Sequence, residues 1–169
     1  RLRGCRRNHF GGLTMHFTLP RWEALPDLAL YMDQVLLVLN TALGPVTVGE
    51  GPAVTASMVN NYVKLKLTAP AEKKKYDRAH LAKFLMICLL KKVLSMQEIA
   101  AILALLEADS LAAGYDGFAG ELERLVENPE APAGADCPAA AAAALRAVAC
   151  KITVERLLHE KTLDNGPGM

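Results

Sequence analysis

The sequence predicts an all-α, mainly helical protein, and three observations carry that expectation. Hydrophobic residues make up 52% of the 169-residue chain, yet aromatics make up only 5%. A core built on Leu and Ala favours helices over the β-branched and aromatic interiors of sandwiches and barrels. Apolar residues recur at spacings of three and four in several separate stretches, the period of one helical face. Ser95-Met96-Gln97-Glu98 has the form of a capping box, in which serine and glutamate satisfy each other's unpaired backbone amides at a helix start. The apolar content excludes wholesale disorder, and the length suits one domain with an appendage.

Residues 1–18 show no periodicity and read as a disordered N-terminal extension. A domain over 19–126 follows. LPRWEALP, residues 19–26, is an extended lead-in whose Trp22 packs on the core. Asp27 is placed to cap a first helix running to about Leu43, with Leu28, Tyr31, Met32, Val35, Leu36 and Leu39 as its apolar stripe. Gly44-Pro45 stops it, and residues 44–54 form a connector rich in glycine and proline. Thr55 is an N-cap for a second helix over 55–67. A basic turn, TAPAEKKK, occupies 68–75. Asp77 then caps a core helix from Arg78 to about Val93, apolar on nearly every side. The capping box opens a helix from Met96 to about Ala108, and a shorter one is expected near Phe118–Val126. Three prolines and a glycine mark 127–138 as a linker. The alanine run starts a C-terminal helix over 139–163, where Lys151–Glu155 and Arg156–Glu160 have pairing distance along the chain.

The second helix carries the functional signal. At about 100° per residue, Ser57, Asn60, Asn61 and Lys64 fall in one arc, while Met58, Val59, Tyr62, Val63 and Leu65 fill the rest. A ridge of this kind on an isolated helix is commonly just its solvated face. Its neighbours change the reading. Residues 60–92 hold nine Lys/Arg against two Asp/Glu, a balance of +7, whereas residues 93–169 hold five against twelve, a balance of −7. Such a basic segment suits a polyanion. Asparagine can bond an adenine edge in two places and lysine reaches guanine acceptors. Lys73, Lys74, Lys75 and Arg78 would neutralise phosphates without reading bases. The expected function is DNA binding, with the helix 55–67 in the major groove of double-stranded DNA and a wing at 70–78 on the backbone. The alternative is a protein-interaction module working through the acidic C-terminal half.

An enzyme is not expected: the four histidines are scattered, and no phosphate loop or nucleophile motif is present. No cofactor, catalytic residue or metal site is expected. Cys5, Cys88, Cys137 and Cys150 lack a CxxC pattern and read as reduced thiols of a cytoplasmic protein. No apolar run is long enough for a membrane span.

TASMVNNYVKLKL, KKKYDRAHLAKFLMICLLKKVLSMQEI, LPRWEALPDLALYMDQV and YDGFAGELERLV together resemble a family, found mainly in Firmicutes, catalogued as domain of unknown function 1836. That family implies no activity. The run of a helix ending Asn-Tyr-Val-Lys-Leu-x-Leu, a Pro-containing basic turn and Tyr-Asp-Arg is also similar to the DNA-binding domain of MerR-type regulators. That resemblance implies a MerR-like winged helix-turn-helix with extra C-terminal helices, working as a homodimer. In it Asn60, Asn61 and Lys64 take the base- and backbone-facing places, Lys73, Lys74 and Lys75 the wing, and Tyr76 and Arg78 the backbone clamp.

Overall fold

RAHLAKFLMICLL carries apolar side chains on every side, and a helix of that kind can only be satisfied at the centre of a domain. The computed structural model describes residues 16–164 and places this segment there. Helix α3 (Arg78–Leu90) buries Leu81, Ala82, Phe84, Leu85, Met86, Ile87, Cys88, Leu89 and Leu90. Burying each of its larger side chains contributes about 1.5–3 kcal/mol. Around it stand α1 (Met32–Leu43), α2 (Ala56–Lys64), α4 (Met96–Leu106), α5 (Leu111–Glu127) and α6 (Ala139–Asp164), with 3₁₀ turns at Trp22–Ala24 and Gly44–Val46. The fold is all-α. The described residues contain no strand, only two isolated antiparallel bridges, Leu30 with Tyr76 and Glu72 with Lys75.

The first bridge explains a departure from the sequence reading. Helix α1 begins at Met32, not after Asp27, because the chain bends at Asp27–Leu28 and Leu30 pairs with Tyr76. Leu28 is therefore 78% exposed and does not join the stripe, whereas Val35, Leu39 and Leu43 do. Asp27 ion-pairs with Arg78 instead of capping, at 3.3 Å. Packing also starts earlier than expected. Residues 1–15 of the predicted extension lie outside the described residues, but Phe17 is buried at 2%.

Helix α5 is longer than the predicted Phe118–Val126. Ser110 caps it, accepting from the Ala113 N–H at 3.4 Å. Its glycines interrupt the sequence signal, and two of them, Gly114 and Gly117, serve close packing. A Cβ on Gly114 would lie 1.8 Å from the carbonyl oxygen of Leu106 in α4. The capping box at Ser95–Glu98 forms as expected, with the Ser95 N–H donating to Glu98 Oε2 at 2.7 Å. Glu121 is 5% exposed and holds the residue 128–138 connection in place. It accepts two bonds from Arg124 Nη2 at 2.8 Å and one from the Gly134 N–H at 3.2 Å.

The C-terminal helix is no separate appendage over its first half. Ala141, Ala142, Leu145, Val148, Ala149 and Ile152 join the same core as α3 and α5. Beyond Ile152 the helix is more open to solvent, leaving Val154, Leu157 and Leu158 at 49%, 37% and 61% exposure. Glu155 ties this stretch to the body through Lys92 Nζ at 2.7 Å and also meets Lys151 at 3.6 Å. Cys88, Cys137 and Cys150 are free thiols, and Cys5 lies outside the described residues. No helix of the described residues is long and apolar enough to cross a membrane.

Candidate nucleic-acid interface

The connector after α1 is held before α2 starts. The Asn40 side chain donates to the carbonyl oxygens of Leu36 and Val54 at 2.9 and 3.0 Å and accepts from the Val54 N–H at 2.9 Å. The Thr55 hydroxyl then accepts from the Met58 N–H at 3.4 Å, capping α2. Val59 and Tyr62 face inward at 0% and 1% exposure. Tyr62 OH meets Cys88 Sγ at 3.7 Å. Burial pushes the Tyr62 hydroxyl well above its usual range and, despite Tyr62 and Lys91, the Cys88 thiol up to about 11. Both stay neutral, as a packed interior requires.

Ser57, Asn60, Asn61 and Lys64 are all exposed on the outer side of α2. Leu65, expected to pack, is 46% exposed. The helix ends in a Schellman motif. The Lys66 N–H donates to the Val63 carbonyl at 2.9 Å and the Leu67 N–H to that of Tyr62 at 3.0 Å. Lys66 occupies the left-handed position, φ +58°, where glycine is usual.

The basic turn is a two-residue hairpin. Glu72 and Lys75 exchange backbone bonds of 3.0 and 2.9 Å, and between them Lys73 and Lys74 have φ of +49° and +64°. Positive φ at both central residues is what a type I′ turn needs. Lys73 and Lys74 are exposed, while Lys75 is half-buried with Nζ 4.9 Å from the Tyr31 ring centroid. One support backs both pieces: the Phe84 ring lies 6.4 Å from that of Tyr62 on α2 and 5.7 Å from that of Tyr76 at the base of the turn.

Two expected backbone contacts fall away. Tyr76 is 6% exposed, its ring edge-on to Phe84 and His80, so it is a core residue. The Arg78 side chain is 16% exposed and already engaged. It meets Glu23 at 3.2 Å and Asp27 at 3.3 Å, with its guanidinium 5.8 Å from the Trp22 ring. The sequence reading missed Lys66, whose only signal is a lysine placed two residues past the last helical turn, and Tyr31, the stacking partner of Lys75.

Lys91 and Lys161 form no ion pair among the described residues, and several lysines of this surface share that state. Lys83, Lys92 and Lys151 are in ion pairs. Among the described residues Lys64, Lys66, Lys73 and Lys74 are in none.

The family model described as Domain of unknown function (DUF1836) matches residues 20–118. The chain belongs to this family. No curated protein and no solved structure matches it. The DUF1836 span contains the whole ridge and turn and ends inside α5, so the last part of α5 and all of α6 lie beyond it.

Proposed function

We propose that this DUF1836 protein is a DNA-binding transcriptional regulator. In this reading α1, the connector and α2 act as a helix-turn-helix, and the residue 70–78 turn acts as a minimal MerR-like wing. The observation that carries the reading is the exposed crest of Ser57, Asn60, Asn61 and Lys64, backed by a rigid buried face and followed by unpaired lysines. A helix whose inner side is locked by Val59 and Tyr62 presents its outer amides without paying much to order them. The crest reads base edges, and Lys73, Lys74 and, more weakly, the stacked Lys75 hold phosphates. Tyr76 and Arg78 act indirectly, by fixing the turn to Leu30 and to the Trp22 segment. The protein works in the cytoplasm as a homodimer, since one module of this size reads too few bases for a unique site.

Selection of bound sequences from a random duplex pool tests this. Enrichment of one motif, in a two-fold repeat if the dimer is correct, supports the reading. Recovery of no sequence above background refutes it.

A second reading, a protein-interaction module without enzymatic activity, is favoured by one specific feature. Val154, Leu157 and Leu158 stand exposed on the last turns of α6, outside the DUF1836 span and within the acidic half. Affinity capture with the full chain separates the two: duplex DNA supports the regulator, and one defined protein free of DNA supports the module.

A further inference from the structure

Among the described residues, every non-glycine residue with positive φ is a lysine: Lys66, Lys73 and Lys74. Left-handed backbone crowds Cβ against the following carbonyl oxygen. Where non-glycine residues adopt it, asparagine and aspartate are the enriched types. A Schellman end normally has glycine at the position of Lys66, and a type I′ turn normally has Asn-Gly at the positions of Lys73 and Lys74. All three side chains are exposed, so packing does not demand them. None is held in an ion pair among the described residues. The one thing each supplies that glycine would not is a positive charge. Strain retained without a local benefit points to a use outside the monomer.

We infer that Lys66, Lys73 and Lys74 grip phosphodiester groups of a nucleic-acid backbone, and that the fold gives up stability to keep their charge there. This rests on the DNA-binding reading and adds Lys66 to it. Lys66 follows directly on the crest, so it would anchor the exit of α2 as Lys73 and Lys74 anchor the turn. Recognition would then have charge at both ends of the segment between residues 64 and 74.

Glycine substitution tests the inference because it moves stability and binding in opposite directions. Full-length K66G, K73G and K74G are compared with wild type by thermal unfolding and by fluorescence anisotropy on a labelled duplex across about 50–200 mM salt. Each variant is expected to unfold about 2–4 °C higher than wild type. Each is expected to bind about five- to tenfold more weakly near 0.1 M salt, with the slope of log affinity against log salt reduced by about 0.9. K66R is expected to restore affinity and slope without the thermal gain. Glycine variants that bind with wild-type affinity and slope overturn this inference while leaving the DNA-binding reading intact. A wild-type chain with no salt-dependent duplex binding overturns both.

Discussion

The backbones of Leu30 and Tyr76 are joined by two hydrogen bonds of 2.8 Å, each N–H donating to the other's carbonyl oxygen. That pair fastens the lead-in segment to the base of the lysine turn. It also delays α1 and fixes where the turn leaves the body.

Asn40 should matter more than an ordinary polar residue of α1. Its amide serves both backbone groups of Val54, which is 1% exposed. Asn40→Ala leaves that buried N–H and C=O without partners, costing about 2–3 kcal/mol. Thermal unfolding should fall by about 4–10 °C. Duplex binding should weaken as well, because the loop delivering Thr55 to the start of α2 loosens.

Two glycines of α5 should respond with opposite sign. Gly114→Ala drives a methyl into the Leu106 carbonyl oxygen and must force α4 and α5 apart, so a loss of about 3 kcal/mol or more is expected. At Gly120 the nearest atom to a new Cβ is Arg21 Nη2 at 3.7 Å, an ordinary contact. Gly120→Ala should gain up to about 1 kcal/mol from helix propensity. Urea unfolding of the two variants checks both signs.

Asp77 caps α3 and should make part of the stability acid-sensitive. Burial alone would raise its pKa, but the backbone N–H and ring of His80, with help from Ala79, outweigh that and hold it below the usual carboxylate value. Its contribution is therefore complete above the unfolded value near 3.9 and lost as pH falls through the lower folded value. Asp77→Ala should cost about 1 kcal/mol at neutral pH. The gap between variant and wild type should close in unfolding experiments carried below that window.

Arg78 should behave as a structural tie. Arg78→Ala removes its stacking on Trp22 and its contacts with Glu23 and Asp27, whose carboxylates are mostly exposed. A loss of about 1 kcal/mol is expected, with the salt slope of duplex binding unchanged. A drop in slope equal to that of K74G would return Arg78 to the phosphate-contacting set.

Helix period and capping were legible because they are local. The all-apolar run of α3, the Thr55, Asp77 and Ser95 caps and the outward arc from Ser57 to Lys64 needed only neighbours within one turn. What escaped depended on distant partners. The start of α1 was set by Tyr76, the length of α5 by how closely Leu106 approaches Gly114, and the burial of Glu121 by Arg124 and Gly134. Tyr76 and Arg78 looked like surface contacts because a tyrosine and an arginine beside three lysines carry no mark of where their side chains turn. The left-handed backbone of Lys66 was equally hidden, since lysine is the wrong residue to announce it.

The most direct test of the whole account is the affinity of wild type and Asn61→Ala for a selected duplex and for a mixed-sequence duplex, measured at one salt concentration. Wild type should prefer the selected duplex, and Asn61→Ala should lose about 1–3 kcal/mol of that preference while its affinity for the mixed duplex stays unchanged. Equal preference in the two proteins, or no binding of either duplex by wild type, would contradict it.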